Sequence, residues 1–293
     1  SVQVPNGVVD VLVKDEAEAV DVAKRYLSYF QGPVKDWTAA DQRRLRHVVP
    51  ENRRQAYDIR AAIDLIADEG SVLELRRGFG HGMITSLIRV AGQPVGVVAN
   101  NPMHLGGAID SPAADKAARF MTVCDAHDVP VLYLCDTPGN MVGPEAEKTG
   151  LVRHVCRMFV TAASLSVPVF AVVLRKGYGL GAMAMTGGGF HDGFFTVSWP
   201  TGEFGGMGLE GAVRLGFRKE LDAETDPAAK QALYEKLVAG FYEIGKAVSV
   251  ASALEIDAVI DPVETRGWIL RGLAAAPPRQ VMAGGRRPFV DSW

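Results

Sequence analysis

Apolar runs and Gly-rich turns follow each other along this chain in a regular order. Val169-Phe-Ala-Val-Val-Leu174 is an uninterrupted apolar, β-branched run and predicts a buried strand. Arg175 and Lys176 follow, then a turn carrying Gly177, Gly179 and Gly181, then the small helix formers Ala182 and Ala184. The same order occurs upstream. Val131 to Cys135 predicts a strand running into Asp136-Thr-Pro-Gly139, with Gly143 four residues on. Between the two turns, Val152, Val155, Cys156, Phe159 and Val160 recur at three-to-four spacing and predict a helix over Gly150 to Ser166. A third strand, Gln93 to Asn100, feeds a loop with Gly106, Gly107 and Asp110. A helix from Ser111 to His127 follows, with Ser111 as N-cap and Pro112 as first helical residue. Three such units predict a parallel α/β core whose turns open on one edge, the edge where open α/β sheets bind ligands.

The flanks read less regularly. Val4 to Val13 reads as a strand, Glu16 to Phe30 as an amphipathic helix, and Gly32 to Pro50 as a polar, Pro-containing connection. A helix over Asp58 to Asp68 ends at Gly70. Strands at Ser71–Leu75 and Ser86–Ala91 are joined through Gly78-Phe-Gly-His-Gly82. Further on come a strand at Phe194–Trp199 and a third Gly-rich stretch, Phe204 to Val213, opening a helix. A charged helical region (Glu220–Gly245), a short apolar segment (Asp257–Ile260) and a last helix (Pro262–Ala275) follow, then an irregular tail beyond Pro277.

At 293 residues the chain can bury a large core in one or two domains, and its net charge of −3 points to no polyanionic partner. The local basic runs (Arg43-Arg44, Arg53-Arg54, Arg76-Arg77) read as solvated surface or contact with a small ligand's phosphate rather than nucleic acid. Cys124, Cys135 and Cys156 lie in apolar patterns without metal spacing and read as reduced core thiols of a cytoplasmic protein. No run is long enough to span a bilayer and no signal peptide is visible. The chain starts with Ser1 rather than Met, which leaves a fragment boundary open.

Strand, Gly-rich turn and helix start together expose backbone N–H groups to an anion or a developing oxyanion. Glycine lets a ligand approach the main chain closely. Other side chains each carry a plain reading beside a functional one. Asp136 ends a strand at the ligand edge, yet Asp before Thr-Pro-Gly also serves turn formation. Arg175 and Lys176 can contact a phosphate or carboxylate, or cap the strand end. His81 and His104 sit in Gly-bearing loops, facing ligand or solvent. Glu210 can bond backbone, and Met121, Met158 and Phe159 read as core. No metal constellation and no nucleophile–base pair stands out.

Val49-Pro-Glu-Asn52, Tyr57-Asp58, Gly92-Gln-Pro-Val-Gly-Val-Val-Ala-Asn100, Asp115-Lys-Ala-Ala-Arg-Phe120, Asp136-Thr-Pro-Gly139, Arg175-Lys-Gly-Tyr-Gly179 and Asp261-Pro-Val-Glu-Thr-Arg266 occur in that order. Together they resemble the carboxyltransferase (β) subunit of biotin-dependent acyl-CoA carboxylases, the propionyl-CoA and acetyl-CoA type, in its C-terminal half. The resemblance implies a crotonase-like α/β spiral. It also implies a division into 1–31 (the end of an N-domain with its connecting helix), 32–49 (a linker) and 50–293 (the biotin-side domain). Such subunits place their active site between the N-domain of one protomer and the C-domain of another. Most of the acyl-CoA domain then lies outside this chain, truncated, cleaved or supplied separately.

The resemblance implies the chemistry as well. Carboxybiotin releases CO₂, the biotin nitrogen removes the α-proton of an acyl-CoA thioester, and the enolate attacks CO₂. This needs oxyanion sites and no side-chain base. By position, Leu180 and Gly181 supply the amides for the biotin ureido oxygen. Gly179, Ala182, Met183, Tyr178, Asp136, Gly139 and Gly143 would line the biotin or substrate site. The implied partners are biotin carboxylase, a biotinyl carrier protein and further copies of the chain, with no nucleic acid and no membrane insertion.

Two departures put the substrate in question. The family reads Gly-Gly-Ala-Tyr-Asp-Val-Met where this chain has Gly179-Leu-Gly-Ala-Met-Ala-Met185, so Met183 replaces an Asp of the acyl pocket. That Met suits either a different acyl group or plain packing. Gly245-Lys-Ala-Val-Ser-Val-Ala-Ser252 stands where an Asn-Pro-Tyr-type turn is usual. A decarboxylase working with a membrane pump, and a half-domain that binds or assembles without turnover, remain alternatives. A crotonase-type hydratase lacks its pair of acidic residues.

Overall fold

The computed structural model describes residues 2–277 and builds them around a single sheet. The sheet runs β1 (Leu73–Leu75), β2 (Met83–Val90), β3 (Gln93–Asn100), β4 (Val131–Thr137), β5 (Val169–Tyr178), β6 (Phe195–Ser198), with β8 (Ala258–Val259) beyond. A short β7 (Glu203–Gly205) pairs with the carboxyl end of β5. The first three strands form an antiparallel meander; from β3 onward every pairing is parallel. The crossovers are α3 (Ser111–Ala126) between β3 and β4, and α5 (Leu151–Ala162) between β4 and β5. Parallel strands joined this way leave their following turns on the same edge, as the repeated pattern predicts.

Alternation sets the layers. Val131, Tyr133 and Cys135 of β4, with Ala171 and Val173 of β5, join the core under α3 and α5. Leu132, Leu134, Phe170, Val172 and Leu174 point the other way, to α2 (Arg60–Ile66) and α11 (Thr265–Ala275). Successive side chains in a strand face opposite sides, so an all-apolar strand must be covered on both. Close approach of α3 depends on small residues: Ala113, Ala114, Ala117 and Ala118 are buried, and a Cβ on Gly96 would lie 2.4 Å from Cys124 Sγ.

Several boundaries differ from expectation for local reasons. Val4 to Val13 forms turns and irregular chain rather than a strand. It crosses the loop after β1, where the Arg76 amide donates to Asp10 O at 2.7 Å. Among the described residues no strand pairs with it, and Val8 and Leu12 stay exposed. The N-cap of α3 is Asp110, not Ser111, because its carboxylate accepts from the Ala113 amide (2.9 Å). The region from Glu220 splits into α8 (Arg218–Ala223) and α9 (Pro227–Ile244), with Asp226 capping and Pro227 starting the second helix. The 32–49 connection packs against the domain, with Leu45 fully buried in a 3₁₀ turn and Gln42 donating to Leu65 O. The tail beyond Pro277 lies outside the described residues.

Cys124 and Cys135 are buried, and burial pushes both thiols up. Cys156 is exposed on the outer face of α5, which corrects its reading as a core thiol. Its helix turns Val155 and Met158 inward while Val152, Cys156 and Val160, four residues apart, face out. A thiol reagent acting on the folded protein is therefore expected to label Cys156 alone. Rapid native labelling of all three thiols would contradict the packing of α3 and β4. Among the described residues no helix is long and apolar enough to cross a membrane.

Candidate active site

The two Gly-rich turns singled out in the sequence touch each other. β5 ends at Tyr178, and Gly179 to Ala184 turns at once into the short helix α6. A Cβ on Gly181 would lie 2.7 Å from both Gly139 C and Gly139 Cα and 3.0 Å from Asn140 N, so the α6 turn rests directly on the backbone after β4. Gly179 has φ +59°, and a Cβ there would meet Gly206 O at 2.7 Å, in the third Gly-rich stretch. On the other flank the Ile109 amide donates to Gly139 O (3.1 Å) and the Met141 amide to Ile109 O (2.9 Å). The loops after β3, β4, β5 and β7 thus lie side by side at the carboxyl edge, with Gly181 between two of them.

The first turn of a helix leaves amides without intrahelical acceptors. In α6 these include Leu180 and Gly181, and the N-cap residue Tyr178 makes no side-chain bond to them. Ala182 is the first amide that the helix's own pattern can satisfy. The Leu180 side chain is 63% exposed and that of Met183 lies outward as well, whereas Gly181 and Ala182 are buried. What this arrangement can do is donate backbone hydrogen bonds to an oxygen arriving from the open rim, with the helix start favouring negative charge there.

Beneath the turns sits a buried charge cluster. Asp136 is fully buried; its Oδ2 accepts from Arg175 Nε (3.0 Å) and its Oδ1 from the Lys176 amide (3.2 Å). Arg175 donates onward to Gln55 O (2.8 Å) and lies over the Tyr57 ring. The Lys176 ammonium, 3.6 Å from Asp136 Oδ1, also donates to Gly106 O, tying the loop after β3 to β5. Burial lowers the Lys176 pKa. Asn100 accepts from the Asp136 amide (3.1 Å) and is itself buried.

A second network holds the entry to α6. The Tyr178 hydroxyl donates to Glu203 Oε2 on β7 (2.9 Å), and burial followed by the Glu203 charge pushes that hydroxyl far up, so it stays a donor. Glu203 faces Arg53 (3.5 Å), Arg53 stacks on Tyr242 (3.8 Å to the ring centre), and the Tyr242 hydroxyl donates to Glu210 (2.9 Å). The departing stretch at Gly245 backs this network: the Phe204 amide donates to Gly245 O at 2.8 Å.

Of the residues expected at the site, Tyr178, Gly179, Leu180, Gly181, Ala182, Met183 and Gly139 come together at the rim. Gly143 lies further out, exposed, at the start of α4 (Pro144–Glu147). Asp136 is corrected as a ligand-facing residue, because its carboxylate is enclosed and committed to Arg175 and Lys176. Those two cations cap the strand end, and the Asp136 amide is held as well. His81 and His104 are neighbours, their rings 5.9 Å apart, with His104 3.6 Å from Asp110. Glu203, Arg53 and Asn100 were not legible as site residues. Glu203 is 25 residues from Tyr178, and no local pattern marks a β7 that pairs only with the end of β5.

The chain matches known proteins over nearly its whole length. The model of the carboxyl transferase domain family matches residues 1–283. The propionyl-CoA carboxylase beta chain of Saccharopolyspora erythraea is 33% identical over 287 residues, covering 89% of this chain and 51% of its own. A single-chain, multi-domain long-chain acyl-CoA carboxylase of known structure is 56% identical with TM-score 0.86, over 92% of this chain and 26% of that one. The transcarboxylase 12S structure, a hexamer solved with methylmalonyl-CoA and methylmalonic acid bound, is 30% identical with TM-score 0.84, over 97% of this chain and 57% of that one. The chain spans about half the length of the curated relatives it matches. On the strength of a match over nearly all its residues and an α/β fold shared with transcarboxylase 12S, this chain belongs to the carboxyl transferase domain family.

Proposed function

We propose that the chain carries the biotin-side half-site of a carboxyltransferase that moves a carboxyl group between carboxybiotin and the α carbon of an acyl-CoA thioester. The observation behind this is the α6 turn, whose Leu180 amide stands at the exposed rim beside the Gly181 amide, the turn being shaped by the contact of Gly181 with Gly139. Their donor chemistry suits the ureido oxygen of biotin. When bound, biotin would supply the transferable carboxyl group and a ring nitrogen able to accept a proton. The amides would hold the oxygen and stabilise negative charge on it, while Tyr178 and Glu203 fix the strand end that presents them. Met183, exposed beside the turn, would face the acyl group.

We read the fold as a crotonase-like spiral, supported by the repeated strand–turn–helix units and the likeness to transcarboxylase 12S. The chain divides, in this reading, into 1–31 from the end of an N-domain, a 32–49 linker and the biotin-side domain from 50 on. The acyl-CoA half comes from elsewhere. Biotin carboxylase and a biotinyl carrier are the partners in a cytoplasmic assembly, and copies of the chain self-associate. The outward apolar row of Val152, Cys156 and Val160 on α5 supports a protein partner there.

The test is biocytin-dependent decarboxylation of malonyl-CoA and methylmalonyl-CoA, with and without an added N-terminal half from a relative. Leu180→Pro removes one rim amide at an exposed first-turn position, where proline is tolerated. Activity that needs the added half and falls roughly 10²–10³-fold in the folded variant is expected, the size of losing one oxyanion donor. Demonstrated pairing without turnover of either thioester would favour a half-domain acting in binding or assembly.

A further inference from the structure

A second polar site lies on the α3 side of the sheet, and none of its residues belongs to the Gly-rich turns. It is a cavity of about 230 Å³ walled by Lys116 and Arg119 of α3, Arg76 after β1, and Asp10, Tyr26 and His127. Lys116 and Arg119 are three residues apart and so project from one face of the helix. Lys116 is 1% exposed; its ammonium donates to Phe79 O (2.9 Å) and Met83 O (2.7 Å), two of its three donors. Arg76 is buried, and its Nε donates to Asp10 Oδ1 at 2.9 Å.

Arg119 is different. Its Nε is buried without a hydrogen-bond partner, and among the described residues its guanidinium makes no hydrogen bond or ion pair. Three cations thus face the cavity against one carboxylate, since the nearby Glu74 is already held by Arg60 at 2.8 and 2.6 Å. Burial, then the Arg76 charge, lowers the Arg119 pKa, and burial with help from Arg60 and Arg76 brings Lys116 down to about 8. Positive charge partly withdrawn from water and in excess over its one carboxylate is unfavourable, and an anion seated among these groups offsets it.

We propose that this cavity binds a small multivalent oxyanion of the phosphate class, gripped by the Arg119 fork with Lys116 and Arg76 behind it. Guanidinium groups pair with phosphate oxygens in two-pronged fashion, and of the two guanidinium groups here Arg119 is the one that, among the described residues, makes no ion pair. Tyr26 and His127, with Thr85 and the apolar Leu75, Phe120 and Val123, form the remaining wall, leaving room for a phosphate with a small substituent. The site stands independently of the carboxyl-transfer reading.

Titration of the whole chain with inorganic phosphate at constant ionic strength, followed by calorimetry and by melting temperature, tests this. Saturable binding and a higher melting temperature are expected. Arg119→Gln should weaken binding about tenfold or more, the scale of one charge-assisted hydrogen bond. Arg119→Lys, which keeps the charge but loses the fork, should fall between, and it serves if the Gln variant folds poorly. Arg43→Gln, on the exposed surface, should bind as wild type. Tighter binding of glycerol 3-phosphate than of free phosphate would assign the site to the phosphoryl group of a larger ligand; the reverse would assign it to the free ion. Wild-type affinity in Arg119→Gln, no saturation up to roughly 10 mM, or binding of malonate but not phosphate would each overturn the proposal.

Discussion

Gly181→Ala is expected to cut carboxyl transfer by roughly 10²–10³-fold, as if one oxyanion donor had been removed, and to destabilise the fold by about 1–3 kcal/mol. The added methyl would sit 2.7 Å from two main-chain carbons of Gly139 and 3.0 Å from Asn140 N. A flexible side chain could step aside; backbone tied to Ile109 on its far side cannot do so cheaply. The α6 turn must therefore move away from the β4 turn, carrying the Leu180 and Gly181 amides with it. Gly240→Ala is the control. It lies within α9 with nothing near its Cβ position, and there alanine should stabilise by roughly 0.5–1 kcal/mol. Urea denaturation and the decarboxylation assay measure both. A Gly181→Ala protein with native stability and activity would mean that contact between the turns does not set the site.

Asp136→Ala is expected to destabilise the protein by about 3–5 kcal/mol, since removing one partner of a buried ion pair strands the other. Arg175 would keep Gln55 O and the Tyr57 ring but lose the carboxylate it is paired with, and the Lys176 ammonium would lose its Asp136 contact. Asp136→Asn should cost less, because an amide oxygen can still accept from Arg175. The pair separates two roles for this residue. A positioning residue loses stability in both variants, in step with its hydrogen bonds. A ligand-binding Asp136 would instead leave the denaturation midpoint unchanged and raise KM.

The α/β class, the parallel strands and the shared edge of the turns were legible because they follow from local periodicity. Val131–Cys135 and Val169–Leu174 are apolar at every position, and such strands require cover on both faces whatever the rest of the chain does. The Gly-rich turns were legible for a similar reason, since Gly179 has a positive φ that other residues resist. The strand expected at Val4–Val13 failed because alternation describes one strand and says nothing of a partner to pair with. Cys156 failed because a helix stripe carries no mark of which apolar positions the neighbouring element reaches.

The site divides in the same way. By itself the sequence determined where backbone amides would be left free, because helix starts and glycine turns are properties of a few adjacent residues. Only the tertiary structure decided that Gly181 presses on Gly139, that Asp136 turns inward to Arg175, and that Glu203 reaches Tyr178. It alone gathered Arg76, Lys116 and Arg119 around one cavity. Each of these contacts joins residues from different elements, and their distances are set by how the layers pack around the sheet, which no local pattern of residues encodes.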